Sequence, residues 1–200
     1  MALGLLCLGI TLLGALKIQA QDSDPGVIPS PPLSKIPLQP NFQYDQFQGK
    51  WYPVGWAQNT PWNESLSRTA LYSISYKLID DNSYNVTCAW LSTRGCVHIS
   101  ATIVPSDQPS QFILENITSY DGLQNLTITV VETDYNQFAI VIFNLTIKTR
   151  VHFEIILYGR TKELIPKVEE QFRKFAKSLD IPDEYIIFTD PLGKGHLEWW

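Results

Sequence analysis

The stretch from Leu126 to Tyr158 reads LTITVVETDYNQFAIVIFNLTIKTRVHFEIILY and predicts three consecutive β-strands. Val, Ile, Thr and Phe dominate Leu126–Glu132, Phe138–Leu145 and Val151–Tyr158, and β-branched and aromatic side chains suit the pleated surface of a sheet. Short polar segments separate the three runs, at lengths that suit hairpins. No helix is predicted between them, so the strands are expected to be antiparallel.

Five further runs of the same kind precede this stretch, which makes eight predicted strands. Turn residues bound each run, as Asp80-Asp81-Asn82 and Pro105-Ser106-Asp107 do. Eight antiparallel strands fit a closed up-and-down barrel, whose interior is just wide enough for one small ligand. The earlier runs are Trp51–Ala57, Ala70–Ile79, Ser83–Leu91, Val97–Val104 and Gln111–Ile117.

One amphipathic helix, at about 162–179, is predicted after the eighth strand. Its apolar residues recur at spacings of three and four, which places them on one face. The predicted fold class is therefore all-β: an eight-stranded antiparallel up-and-down barrel with one C-terminal α-helix packed outside. A short last strand is predicted at Tyr185–Phe188. The apolar helix residues are Leu164, Val168, Phe172, Phe175 and Leu179.

Both ends of the chain are predicted to lie outside the barrel, which spans residues 42–190. Residues 1–20 are apolar and end at the small Ala20, as a signal peptide does, although no early Lys or Arg is present. A membrane anchor is the alternative, but the apolar run is short for one. Residues 21–41 are rich in Pro and predict an extended arm, and residues 191–200 form a C-terminal tail.

Charge and glycosylation motifs narrow the partners and the compartment. The formal net charge is −5, without a basic run, which argues against nucleic acid and against anionic membranes as partners. Five Asn-x-Ser/Thr sequons behind a signal peptide predict a secreted, extracellular glycoprotein. The sequons begin at Asn63, Asn85, Asn116, Asn125 and Asn144.

Two cysteines remain after Cys7 leaves with the signal peptide. Cys88 and Cys96 lie on either side of a predicted hairpin turn. In an oxidising compartment they could form one disulfide. Alternatively, their side chains face opposite sides of the sheet and stay unbridged, because the Cβ geometry decides.

Three short motifs at the ends of the predicted strands resemble the signatures of the lipocalin family. Gly49–Trp51 (GKW) begins the first strand, Thr133–Tyr135 (TDY) lies between the sixth and seventh strands, and Arg160 follows the eighth. Trp51 can stack under the Arg160 guanidinium and close one end of the barrel. Asp134 can accept N–H bonds within its turn. These residues are therefore predicted to be structural.

The resemblance implies a cup that binds and carries a small, mostly apolar molecule. On the register it implies, alternate strand residues line the interior, and the lining has the composition of a small-molecule pocket. A collapsed core built from the same side chains is the alternative. The predicted ligand-binding residues are Tyr72, Ile74, Trp90, Ile99, Ala101, Leu126, Ile128, Val141, Phe143, Leu145, Glu154, Ile156 and Tyr158.

One siderophore-binding member of the family resembles the chain over nearly all of its length. Its three basic side chains, which surround an anionic ferric catecholate, correspond here to Ala101, Leu145 and Glu154. None of the three is basic, so the attraction for a trianion is lost in a cavity where charges are poorly screened. Siderophore sequestration is therefore an alternative function rather than the preferred one.

A prostaglandin-type isomerase is a second alternative, since the family includes an isomerase with a catalytic cysteine on the second strand. The corresponding residue here is Ile74, which has no thiol. Cys88 on the third strand leaves thiol chemistry open, but a reactive thiol needs a lowered pKa or an adjacent base, and no candidate neighbour stands out. The protein is predicted to be a binding protein without a cofactor; a cell-surface receptor is a candidate partner.

Three polar strand residues are left to place. Glu154 either faces a cationic ligand or becomes protonated when buried; alternatively, it points to the rim and pairs with Arg150 or Lys148. His98 and His152 are assigned to the outer face by alternation. Two isolated histidines do not make a metal site, and no metal is predicted.

Overall fold

In the described part of the chain, nine strands form one antiparallel sheet, and the first eight close into a barrel. The computed structural model describes residues 28–32, 35–59, 71–92, 95–148 and 150–188, without the side chains of residues 71–72, 90–92 and 95–97. The strand order is β2-β3-β4-β5-β6-β7-β8-β1-β9, with an additional β1–β2 pairing that closes the barrel. The strands are β1 Gly49–Gln58, β2 Leu71–Leu78, β3 Tyr84–Ser92, β4 Gly95–Pro105, β5 Gln111–Leu114, β6 Leu123–Thr133, β7 Phe138–Ile147, β8 Arg150–Gly159 and β9 Ile186–Phe188.

The first strand bends, and this bend lets it pair with three neighbours. Its start pairs with β2, where Trp51 lies opposite Ile74. Its remainder pairs with β8 through a register shift between Pro53 and Gly55, and the same segment accepts β9 on its other edge. A Cβ at Gly55 would meet the ring of Phe188 at 2.7 Å, so a residue without a side chain lets β9 dock here.

Alternation along the strands separates two apolar cores. One fills the barrel interior, and the other lies between the outer wall and α2 (Pro166–Ser178), the second helix after the short α1 (Tyr44–Phe47). The helix buries Val168, Phe172 and Ala176 against that wall, and Leu179 just after it is also buried. The predicted barrel with a helix packed outside is therefore confirmed.

The helix starts four residues later than the predicted 162, and Pro166 is the physical reason. Proline at the first helical position loses no hydrogen bond there, and it drives the preceding residue into extended backbone. Ile165 has φ −86° and ψ 119°. Leu164 therefore packs against the outer core from the loop, not from the helix.

A stack of Arg160 on Trp51 plugs one end of the barrel. The guanidinium carbon lies 3.6 Å from the centre of the fully buried Trp51 ring. Its nitrogens donate to three backbone carbonyls, those of Tyr135 (2.9 Å), Lys50 (3.1 Å) and Gln46 (2.9 Å). Arg160 therefore ties the end of β8 to the β6–β7 turn and to the segment around the start of β1, which are contacts of a structural kind.

The β6–β7 turn is built around Asp134. Its Oδ1 accepts backbone N–H bonds from Asn136 (3.1 Å), Gln137 (2.8 Å) and Phe138 (3.0 Å). The Thr133 hydroxyl donates to the carbonyl of Phe138 (2.7 Å). These contacts satisfy the turn's amides, so the TDY motif is structural, as predicted.

The structure describes only part of the chain ends. In the predicted arm, Ile28 and Asn59 exchange two hydrogen bonds of 2.8 and 3.1 Å, which join the arm to the end of β1. The predicted signal peptide, 1–20, and tail, 191–200, lie outside the described residues. Among the helices that are described, none has the length and apolar character to span a membrane.

Replacing Arg160 by Met should lower the free energy of unfolding by about 2–4 kcal/mol, because it removes the contact with Trp51 and leaves three carbonyls without their donor. Urea denaturation followed by tryptophan fluorescence measures the change. Arg160→Lys should lose a smaller amount, since it keeps the charge without the planar fork. A loss below 0.5 kcal/mol (about the scatter of surface substitutions) for Arg160→Met would contradict the plug's structural importance.

Candidate ligand-binding site

The inner wall brings most of the predicted lining residues together. They form one cluster, and each is at most 5 % exposed. Ile99 and Ala101 pack against the same cluster but remain partly exposed, so solvent reaches the wall beside β4. Tyr72 and Trp90 lie in β2 and β3, but their side chains are outside the described part of the chain. The buried members are Ile74, Leu126, Ile128, Val141, Phe143, Leu145, Ile156 and Tyr158.

Two inward positions on β1 were missed in the sequence. Trp56 belongs to the inner cluster, and Gln58 is buried opposite Glu154. Simple alternation from Trp51 puts both on the outer face, because they lie an odd number of residues away. The register shift between Pro53 and Gly55 reverses the phase, as an extra residue in a strand does. Only the pairing of β1 with β8 reveals this.

Aromatic rings fill the closed half of the interior. Phe47 lies 5.4 Å from Trp51 and 5.0 Å from Tyr76, centre to centre. Tyr84 packs 5.7 Å from Tyr76, and its hydroxyl donates to the carbonyl of Tyr44 (2.6 Å). We call these rings the aromatic floor. Because these rings fill the closed half of the barrel, a ligand inside it would lie in the other half of the interior.

A second phenol, Tyr158, and a thiol, Cys88, lie next to the floor ring of Tyr76. Tyr76 and Tyr158 are 2 % and 0 % exposed, with ring centres 6.5 Å apart. Burial is the main cause that raises the pKa of both hydroxyls above the usual value of 10.0, so both are neutral phenols near pH 7. Cys88 is buried in the same cluster, opposite Ile74. It lies near the phenols of Tyr76 and Tyr158 and among apolar side chains, a setting unlike the electropositive sites in which reactive cysteines occur.

A pair of polar residues interrupts the apolar wall on β8. Glu154 is 1 % exposed and lies opposite Phe143, so its side chain belongs to the interior and not to the rim. His152 is 6 % exposed and lies opposite Leu145. The prediction that His152 faces outward is wrong: β8 pairs with β7 without a shift, so residues two apart share a face. His98, in contrast, is exposed.

His152 is a buried base whose ring nitrogens, Nδ1 and Nε2, both lack a hydrogen-bond partner. Burial, and secondarily the charge of Arg150, lowers its pKa below the usual 6.5. The imidazole is therefore neutral at pH 7. Leaving buried polar atoms without partners costs roughly 1–3 kcal/mol, so an apolar side chain would suit the packing at this position better.

His152 should make the protein less stable in mild acid. The native pKa lies below that of the unfolded chain, so the unfolded state takes up the proton first and stability falls as the pH drops below about 6.5. In His152→Leu, the loss of melting temperature between pH 7.5 and pH 5.5 should be smaller than in the parent. At pH 7.5 this variant should be at least as stable, since it removes unsatisfied polar atoms.

The matched control is His98→Gln, on the exposed face of β4, which should keep the parent's pH profile. Differential scanning fluorimetry across the pH range gives the comparison. An unchanged acid profile in His152→Leu would mean that His152 does not titrate in this way.

The register of β3 and β4 argues against a Cys88–Cys96 disulfide. Cys88 lies opposite Ile99, and Cys96 lies opposite Leu91. An offset of three residues separates the two Cα atoms by about 10 Å at the rise of a strand, and a disulfide needs them within roughly 7 Å. The Cys88–Cys96 disulfide, which the sequence left open, therefore does not fit the register of β3 and β4.

Peptide mapping under non-reducing conditions should therefore give Cys88 and Cys96 in separate peptides that are not linked to each other. Alkylation before and after reduction, followed by mass spectrometry, measures this. A linked Cys88–Cys96 peptide from freshly secreted protein would show that the β3–β4 register differs in solution.

The sequons differ in accessibility. Asn116 and Asn125 are exposed, and Asn85 is half-buried. Asn144 is buried on β7, with its amide nitrogen 3.4 Å from the Ser30 hydroxyl, which disfavours a glycan there in the folded chain. Asn63 lies outside the described residues. Glycosylation stays a prediction, best supported at the exposed positions.

The described residues contain no group of three or more His, Cys, Asp or Glu side chains that could hold a metal ion. They bring together an apolar wall, two neutral phenols and one polar pair.

Comparison with known proteins places this architecture in a family. Residues 48–192 match the model of the lipocalin / cytosolic fatty-acid binding protein family. The chain belongs to this family, whose members bind small hydrophobic ligands.

Among curated proteins, the chain is 50 % identical over 192 residues to human neutrophil gelatinase-associated lipocalin, covering 96 % of this chain and 97 % of the relative. It is 48 % identical over 191 residues to the rat protein of the same name, with 96 % of each covered. A pig prostaglandin-H2 D-isomerase is 32 % identical over 187 residues, covering 92 % of this chain and 90 % of the relative.

Proposed function

We propose that this protein is a secreted carrier that binds one small, mostly apolar molecule inside its barrel. The observation that supports this most is the inner wall, where apolar residues from five strands converge above the aromatic floor while Ile99 and Ala101 stay partly exposed. A wall that is apolar and yet reached by solvent gains free energy when an apolar ligand displaces that water. Its relatives named as lipocalins agree with this role.

Secretion belongs to the same proposal, and a cell-surface receptor stays a candidate partner. Secretion rests on the apolar residues 1–20 and on sequons at exposed positions such as Asn116 and Asn125. Expression of the full chain in animal cells, with N-terminal sequencing of protein from the medium, tests the cleavage after Ala20.

A neutral apolar dye such as Nile red should bind with micromolar or tighter affinity and quench the fluorescence of the inward-facing Trp56. Ile99→Lys should weaken this binding at least about tenfold, because it places a charge in the wall that contacts the ligand. Ile99 is partly exposed, so the substituted protein should still fold.

Ile113→Lys is the matched control, since Ile113 is 42 % exposed on β5. It should bind the dye as the parent does. Failure of the parent to bind Nile red or any neutral apolar probe would overturn the proposed function, and equal weakening by both variants would place the dye outside the barrel.

Siderophore sequestration is the second candidate, favoured by the resemblance to a siderophore-binding lipocalin. The charges of the inner wall oppose it. Ala101, Leu145 and Glu154 stand where that protein has cations; Leu145 and Glu154 are buried, and Ala101 packs against the same cluster. A trianionic ferric catecholate would meet one buried carboxylate and no cation at these three positions, and such charges are poorly screened.

The parent should therefore show no nanomolar binding of ferric enterobactin-type complexes in a fluorescence titration at physiological salt. Ala101→Arg, Leu145→Lys and Glu154→Lys together should restore part of the affinity, because the fold keeps Tyr158 in the wall. Nanomolar binding by the parent would mean that other cations, such as rim Arg150, supply the attraction.

An isomerase activity has the least support. The resemblance places the catalytic cysteine of such enzymes at Ile74, whose buried side chain carries no nucleophile. We propose a binding protein rather than an enzyme.

A further inference from the structure

The polar pair on β8 gives the inner wall a preferred ligand chemistry. His152 and Glu154 are both more than nine-tenths buried, and the residues opposite them on β7 are the apolar Leu145 and Phe143. We infer that this pair is a head-group site, which takes a protonated amine carried on an apolar body. The inference rests on the proposed function and specifies the ligand class for that same interior.

The two side chains are close enough to share one small group. They are two residues apart on one strand without a register shift, so their Cα atoms are about 6.5–7 Å apart and both side chains stand on the inner face. A group lying between them, such as a single ammonium, reaches both. Gln58 lies opposite Glu154 on β1 and adds an amide to the same part of the wall.

Hydrogen-bond capacity favours a donor with positive charge. An ionised carboxylate only accepts hydrogen bonds, and a neutral imidazole has one acceptor nitrogen. Neither ring nitrogen of His152 has a partner in the protein. An alkylammonium supplies three N–H donors and a compensating charge. It can therefore bond to Glu154 and His152 together, whereas a hydroxyl supplies only one donor.

Charge excludes the opposite class of ligand. A fatty carboxylate placed at this depth would face the Glu154 carboxylate in surroundings that screen poorly. Arg150 and Lys148 are the described cations at this end of β8 and β7, and both are exposed. Water and salt screen them, so they do not reverse the preference of the buried carboxylate.

The apolar body has a defined place as well. From the pair, the inner face of β8 continues to Ile156 and then to Tyr158 beside the aromatic floor. Trp56 lies opposite Ile156 and reports on occupancy by its fluorescence. This apolar face is the place that we assign to the carbon chain, with its head at His152 and Glu154.

Three probes of equal chain length test the inference: n-octylamine, n-octanol and octanoate, each displacing Nile red at pH 7.4. Octylamine should bind at least about tenfold more tightly than octanol, and octanoate should bind most weakly. In Glu154→Gln, the advantage of the amine should fall by about tenfold while octanol binding stays within about twofold. Unchanged Nile red binding by this variant shows that it is folded.

His152→Leu and Glu163→Gln complete the design. The first should weaken octylamine and octanol alike by a few-fold, because both lose the imidazole acceptor. The second removes the same charge as Glu154→Gln from an exposed loop and should change nothing.

Equal affinities for the three probes, or tightest binding of octanoate, would overturn the inference while leaving the carrier function intact. An amine preference that survives Glu154→Gln would also overturn it. If neither Nile red nor octanol binds the parent, the carrier function itself fails, and the head-group site fails with it.

Discussion

The pairing of β1 with β2 at one edge and with β8 at the other is the constraint on which the structure depends. This pairing closes the series of hairpins into a barrel, so that one face of the sheet becomes an enclosed interior. It also gives β1 a distinct role, since this strand shifts its register against β8 and accepts β9. The Arg160–Trp51 stack lies where β1 begins and β8 ends, so it holds together two strands whose pairing is needed to close the barrel.

Closure divides the apolar side chains between two cores with different tasks. The outer core has a structural role, because residues such as Phe172 pack α2 against the outer wall of the barrel. The inner core is divided again: the aromatic floor packs the closed half, and smaller aliphatic residues of β6, β7 and β8 line the rest. Ring packing therefore limits the depth that a ligand can reach, and the aliphatic wall sets the chemistry it meets.

The polar residues of the inner wall carry the most information about function because they are costly there. An apolar residue at 152 or 154 would pack the wall without leaving polar atoms to satisfy. His152 and Glu154 lie on one face of one strand, within an otherwise apolar lining. Glu154 is also one of the three positions at which the resemblance to a siderophore-binding relative implies a basic side chain.

The sequence by itself determined the eight strands, the turns, the helix outside and the signature residues, because strand propensity, two-residue alternation and turn chemistry are local properties. It also assigned eight residues to the interior that the structure brings together in one buried cluster, but it left Glu154 open between the interior and the rim. Tertiary structure alone decided the faces of Trp56 and Gln58 and the separation of Cys88 from Cys96. Each depends on the register between strands, and one extra residue in a strand moves every later side chain to the other face. By alternation, His152 lies on the same face of β8 as Glu154. Its burial and its lack of hydrogen-bond partners depend on the neighbouring strands of the assembled barrel, and the sequence of β8 alone does not determine them.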